Sequence, residues 1–515
     1  MSKTPGENDA GLSGRATRLV AAIIALHLAV TVPLAALLSI SLDENYSLET
    51  TSRSLRYALH QAINFELQPP GYFLLLNVWR QLSPSIFHAR LLSVICAALM
   101  LWTVAGLARR YFSEIHRGWL VAACAFHPFV IWAAVEARVY ALVLLLSAQL
   151  MLWFYDGWLA EKEQAQRARL IYAVLALCGL YTHYYLGFLL VAQAAALLAR
   201  GSWRRLGNYV GWMLAVGVGF LPMLWLVRQQ VSAHTATTAG PQTWLADVQV
   251  LSWRAQGHLL PTDWARLVQP ARWLLLACAL LIAVGLWRRI AARSLALKTS
   301  PFVTLAVICG VVMLCYGAVI RVTGAALMEQ RHTVEMFLPL LLAWLAAVLL
   351  AMNKRGLIGW LVVGLIFSIA SAIVVWRPLA KAGDWRRVAV RLQSVERPQQ
   401  PVAVFIVNGA MSLRRYYQGI NQIQQLPEET RFDRYDPRDH AFKSAEQVAE
   451  TLTRLTGASG ELWLITRPGD QCTSLGVKLG CQWLEDFIAQ QYVTVQDEKF
   501  YGSRLRLLQR LRSAK

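Results

Sequence analysis

Residues 334–376 read VEMFLPLLLAWLAAVLLAMNKRGLIGWLVVGLIFSIASAIVVW. Two apolar runs, 334–352 and 356–376, flank the polar break Asn353-Lys354-Arg355-Gly356. Each run is about as long as a helix must be to cross the ~30 Å hydrocarbon core of a bilayer. A short break carrying Lys and Arg is the composition of a cytoplasmic loop. Working outward, the pattern recurs at 17–40, 87–108, 118–135, 138–157, 169–182, 184–199, 207–228, 271–287 and 300–320. About eleven spans are therefore expected, and the fold class is an α-helical polytopic membrane protein.

Composition agrees. The chain has 515 residues, of which 56% are hydrophobic and only 16% charged, whereas a soluble protein is about a quarter charged. The net charge of +20 does not mark a nucleic-acid partner, because the basic residues lie in short clusters between apolar runs rather than along one face. The run 16–40 is too long for the apolar core of a signal peptide and has no small-residue cleavage site after it, so it reads as the first span.

The positions of the basic residues set the orientation. With residues 1–16 cytoplasmic, the inside loops hold Arg15 and Arg18; Arg109, Arg110 and Arg117; Lys162, Arg167 and Arg169; Arg200, Arg204 and Arg205; Arg288, Arg289, Arg293 and Lys298; and Lys354 and Arg355. The outer segments near 136 and 183 hold almost none. The domains expected are thus a membrane domain over 17–376, with outer loops at 41–86 and 229–270, and an outer domain over 377–515. Counting 70–83 as a span would invert every later loop, so 41–86 reads as two interfacial helices on the outer leaflet. The loop 229–270, with Trp244, Trp253, His258 and Trp264, has the length of a lid or binding surface.

The tail alternates strand-like VAVFIV (402–407) and ELWLIT (461–466) with helix-like AEQVAETLTRL (445–455) and WLEDFIAQQY (483–492). That pattern is a small α/β domain, with the basic ending SRLRLLQRLRSAK read as solvated. Cys472 and Cys481 close the polar stretch CTSLGVKLGC, and outside the cytoplasm they are expected to form a disulfide.

Ionisable residues close to a membrane core are functional candidates. Asp43 and Glu44 follow the first span. Arg90 begins the second; by itself it would be expected to snorkel. Glu136, Arg138 and Tyr140 lie between the third and fourth spans, His183 lies between the fifth and sixth, and Glu329, Arg331 and His332 precede the tenth. His27, alone within the first span, reads as a core histidine. All the others fall at one depth on the outer face. Carboxylates with arginines there suit an enzyme acting on a phosphate-bearing lipid, the arginines taking the phosphate and a carboxylate serving as base.

The motifs Asp43-Glu44, QPPGYFLLL (68–76), ARLLSVI (89–95), VEARVYALVLLLS (135–147), YTHYYLGFLL (181–190), QRHTVEMFLPLLL (330–342) and DWRRVA (384–389) occur in the order found in a known family. The chain resembles the GT-C glycosyltransferases that use polyprenyl-phosphate sugars, including aminoarabinose and galacturonic acid transferases of lipopolysaccharide and, more distantly, protein O-mannosyltransferases. It departs from them at Gln68, where a histidine or lysine is usual, at Gly71, where a bulky aliphatic residue is usual, and at His332, where an aromatic residue commonly follows the arginine.

The resemblance implies an inverting glycosyltransferase of the bacterial inner membrane. Asp43 would be the base, Glu44 its helper, and Glu136 a carboxylate holding substrate or tuning Asp43. Gln68, Arg90, Arg138, Tyr140, His183 and Arg331 would bind substrate and lipid phosphate. Some GT-C enzymes use a divalent metal; the resemblance is to the metal-independent branch, so a divalent metal is possible but not expected, and no other cofactor is implied. The partners would be a polyprenyl-phosphate-linked sugar, a hydroxyl acceptor on an envelope lipid, glycan or protein, and membrane lipids. Three other readings fit less well. A secondary transporter places its charges near the midplane and shows repeats. A lipid-linked polymerase or ligase carries its arginines in one large outer loop. A scaffold has no use for Asp43, Glu136 and Arg138.

The orientation is testable with reporters. Alkaline phosphatase fused after residue 515 should be active in cells, and a fluorescent protein that matures only in the cytoplasm should stay dark there; the opposite pair of results would invert the topology.

Overall fold

The computed structural model describes residues 5–160, 165–238, 243–261, 268–291, 300–323, 330–433, 436–457, 459–467, 472–474 and 477–511. The chain forms two compact units. One comprises residues 1–36 and 68–377, the other 37–67 and 378–515.

The first unit is helical. In chain order its helices are α1 (Pro5–Leu37), α4 (Gly71–Arg80), α5 (Ile86–Tyr111), α6 (Gly118–Ala125), α7 (Pro128–Ala134), α8 (Tyr140–Phe154), α9 (Ala165–Thr182), α10 (Leu186–Ala199), α11 (Trp203–Thr238), α12 (Trp244–Leu259), α13 (Val268–Ala291), α14 (Pro301–Thr323) and α15 (Phe337–Trp376). The intervening α2 (Leu42–Thr50) and α3 (Leu55–Asn64) belong to the second unit. A helix satisfies its backbone polar groups internally, which hydrocarbon requires.

Among the described residues, seven helical stretches are long and apolar enough to cross a membrane: Gly14–Leu37, Ile86–Tyr111, Tyr140–Leu159, Trp203–Arg228, Gln269–Arg289, Pro301–Val322 and Gln330–Trp376. The eleven runs expected from sequence are therefore not matched one for one. The last stretch breaks at Asn353, whose φ of 66° is non-helical, and so contains both runs of the opening motif. The expected run 118–135 is divided into α6 and α7 at His127-Pro128. Proline has no amide to continue the helix. The run 184–199 is represented by α10, whose 14 residues are short of a full crossing.

The region 41–86 holds three short helices, α2, α3 and α4, where the sequence reading expects two. The ten residues of α4 rise only about 15 Å, too little to cross a bilayer. Leu75 and Val78 on α4 are exposed, while Tyr72, Phe73 and Leu76 are buried. The end of α4 is tied to the start of α5 by Trp79, whose ring stacks on His88 at 4.8 Å and whose Nε1 donates to the His88 carbonyl at 2.7 Å.

The second unit is a mixed α/β domain. Its strands are β1 (Val402–Phe405), β2 (Ile423–Gln425), β3 (Glu461–Thr466), β4 (Thr473–Ser474), β5 (Val477–Lys478), β6 (Tyr492–Phe500) and β7 (Ser503–Arg510), and its further helices are α16 (Trp385–Val395), α17 (Gly409–Arg414), α18 (Ala445–Thr456) and α19 (Cys481–Gln491). Five strands run in the order β2-β1-β3-β7-β6, with β4 and β5 forming a separate pair. β1 is parallel to β2 and β3, whereas β3–β7 and β7–β6 are antiparallel. Ala403, Phe405, Leu462, Leu464 and Leu508 form one core with Val448 and Leu452 of α18 and Leu484 and Ile488 of α19. β1 is buried along its whole length, as a strand covered on both faces must be. Trp385 of α16 reaches its other side, close to Gly409.

The ending read as a solvated basic stretch is instead β7, lying between β3 and β6. Leu505, Leu507 and Leu508 are buried there. Arg506 is 2% exposed and is held by Glu485 at 2.6 and 2.7 Å. Paired in this way, the charge can be buried.

The segment 37–67 is pinned to this same unit. The Ile40 amide donates to the Tyr416 hydroxyl at 2.8 Å. Asn45 donates to Ser412 at 2.5 Å, Asn408 donates to the Tyr46 hydroxyl, and the Phe65 ring meets Phe432 at 5.6 Å.

Cys472 and Cys481 are joined in a disulfide across a sequence separation of 9. Cross-linking a loop of this length stabilises by about 2–3 kcal/mol in the chain-entropy view. Cys472→Ser combined with Cys481→Ser should lower the unfolding free energy of the protein by that amount in denaturant titration, and reductant should do the same to the native protein but not to the variant.

Candidate functional site

In the second unit, Ser41 caps α2 and places Asp43 and Glu44 in the first turn, where the helix dipole favours negative charge. The two carboxylates then diverge. Glu44 is fully buried. Its Oε2 accepts from the Ser41 amide at 2.9 Å and from Lys381 Nζ at 2.7 Å, and its own amide donates to Ser41 Oγ at 3.3 Å. This is a reciprocal capping box closed by a buried cation. Asp43 remains partly accessible. Asp384, in the DWRRVA motif, adopts a left-handed φ of 43° and is 2% exposed. Burial lifts its carboxyl above the ordinary carboxylate range, against the pull of Arg387, whose Nη1 donates to it at 3.2 Å.

In the first unit, Glu136 and Arg138 occupy the turn between α7 and α8 and are 3% and 6% exposed. Tyr140 begins α8, with its ring 4.9 Å from Trp132. Arg90, buried to 1% exposure, does not snorkel. Its Nη1 donates at 2.8 Å to the carbonyl of Ala35, one of the last carbonyls of α1, which have no partner within the helix. His27 is a core histidine, 1% exposed, with Nδ1 2.8 Å from the Ala125 carbonyl.

The QPPG and YTHYY motifs are brought together. A Cβ on Gly71 would lie 2.6 Å from the Tyr181 carbonyl oxygen, so only glycine permits this approach of α4 to the α9–α10 turn. The departure at Gly71 thus has a steric reason. Tyr184 donates to Gln230 Oε1 at 2.7 Å, and Gln230 Nε2 donates to the Gln68 carbonyl at 3.4 Å. Gln68 is engaged through its backbone.

The same turn presents His183, whose Nδ1 pairs with Oε1 of Glu335. Tyr316 of α14 donates to the other oxygen, Oε2, at 2.5 Å. Glu335 lies in the 3₁₀ turn Gln330–Met336, which also carries the half-buried Arg331. Glu329 falls outside the described residues. Glu335 was not singled out in sequence: it sits inside the apolar-looking run TVEMFLPLLL. A lone acid at the mouth of such a run was the available signal. The loop 229–270 contributes α12, which docks on this turn. His258 Nε2 lies 3.0 Å from Thr333 Oγ1, and Gln330 Nε2 donates to the Arg254 carbonyl at 2.7 Å. Trp264 lies outside the described residues.

No family model matches the chain, and no curated protein matches it. Among solved structures, it is similar to ArnT from Cupriavidus metallidurans bound to undecaprenyl phosphate. That alignment has a TM-score of 0.53 and 14% identity, covering 95% of this chain and 98% of that one. The chain has the GT-C fold. The apo state of the same ArnT aligns with a TM-score of 0.46 and 13% identity over 96% of this chain and 98% of that one.

The contrast between the neighbouring carboxylates has a measurable consequence. Glu44→Gln leaves Lys381 buried without a counter-charge and should cost about 3–5 kcal/mol. Asp43→Asn, at the partly accessible position, should cost less than Glu44→Gln. Denaturant titration of the two variants checks the order; equal losses would show that Asp43 is also structural.

Proposed function

We propose that the chain is an inverting glycosyltransferase that moves a sugar from a polyprenyl phosphate to a hydroxyl acceptor at the periplasmic face of the bacterial inner membrane. The reading is supported chiefly by a GT-C fold shared over 95% of the chain with a structure that holds undecaprenyl phosphate. A second support is the division of labour at α2, where Glu44 is sealed by Lys381 and Asp43 stays accessible.

Asp43 takes the proton of the acceptor hydroxyl as its oxygen attacks the anomeric carbon. The bond from that carbon to the phosphate oxygen breaks, and its electron pair leaves with the phosphate. Polyprenyl phosphate departs as a stable anion, so the step needs no strong acid. Arg138 and Arg331 stabilise charge growing on that phosphate, and Glu136 holds the sugar. Glu44 orients α2 and takes no proton. Arg90 acts by fixing the end of α1. The acceptor is an envelope lipid such as lipid A, a glycan or a protein.

Purified protein and its Asp43→Asn variant, given a panel of polyprenyl-phosphate sugars, should separate cleanly. The native protein should release free polyprenyl phosphate, and the variant should release it at least about a hundredfold more slowly, the scale of a lost general base. Equal release would move the base to Glu136. No release by native protein from any donor would refute the transferase reading.

A further inference from the structure

Glu335 is 0% exposed, as is Tyr316, while the His183 side chain retains 19% exposure. A buried carboxylate is costly unless every oxygen is occupied and its charge is offset. Here Tyr316 occupies Oε2 and the His183 ring occupies Oε1. The Tyr185 ring closes the pocket, 5.4 Å from both His183 and Tyr316. With a carboxylate on Nδ1, the ring that carries both protons donates Nδ1–H to Glu335 and directs Nε2–H away from the pair, a donor for an anion. No hydrogen bond to His183 Nε2 occurs among the described residues. The three groups come from three separate segments: the α9–α10 turn, α14 and the 3₁₀ turn that carries Arg331.

We infer that Glu335 is a positioning residue which holds His183 through Nδ1, so that Nε2 binds a phosphate oxygen of the lipid donor. The identity of the ligand rests on the function proposed above; the roles of the two residues rest on this geometry. Tyr316 secures Glu335 from behind and does not touch the ligand.

The probe is undecaprenyl phosphate alone, titrated into the full chain in lipid nanodiscs. His183→Gln should weaken its binding about tenfold or more, the scale of one hydrogen bond to a charged group. Glu335→Gln should weaken it similarly, and the double variant should be no worse than either single one, because the pair acts as a unit. Imidazole in the buffer should restore binding to His183→Ala while Glu335 is present and fail to do so with Glu335→Gln. A merely structural role would give neither the non-additivity nor the rescue. Native-like binding by His183→Gln overturns the inference, as does full additivity in the double variant. His183 reaches the surface, so that variant keeps the test open if Glu335→Gln does not fold. Binding by the native chain without sugar transfer would refute the transferase reading and leave this inference to its variants; absence of binding by the native chain would overturn the inference itself.

Discussion

Arg90 illustrates the constraint on which the first unit depends. Its guanidinium is buried and donates to the Ala35 carbonyl at the end of α1. Where water is excluded, a helix interior satisfies itself, but its last carbonyls and first amides do not. Those groups must find partners, and the available partners are polar side chains at the same depth. The polar chemistry of the unit is therefore concentrated at helix ends. Glu136 and Arg138 fill the turn before α8, His183 fills the turn before α10, and Glu335 fills the turn before α15. A set of ionisable residues at helix ends is what that constraint produces.

The same constraint sorts the carboxylates by role. Glu44 and Glu335 are each buried against fixed partners, Lys381 and Ser41 in one case and His183 and Tyr316 in the other. A group held this firmly orients its neighbours and is poorly placed to exchange a proton with a substrate. Asp43, in the same first turn as Glu44, remains partly accessible. Two adjacent acids of nearly equal chemistry thus differ in burial because of what surrounds them.

Much of the fold was legible because membrane insertion writes a strong linear signal. Long apolar runs and basic breaks identified the polytopic architecture, and period-two and period-3.6 patterns located β1, β3, α18 and α19 in the tail. β7 was misread because its alternation carries arginines: in SRLRLLQR the buried Arg506 looks solvated until Glu485 is seen beside it. The expected run 118–135 is divided where a local breaker outweighs hydrophobicity, as Pro128 does between α6 and α7. Glu335 was missed because composition places it in an apolar run, and only the partners from α14 and the α9–α10 turn reveal it as half of a pair.

By itself the sequence determined the class of protein, the order of its motifs and the residue types available for chemistry, since hydrophobic length and charge placement are properties of the linear chain. Tertiary structure decided which of those residues are spent on the fold. Whether Glu44 meets Lys381, 337 positions away, or His183 meets Glu335 cannot be read from spacing. Those pairings follow from how the helices pack, and the free energy of a buried charge depends on what the packing sets against it.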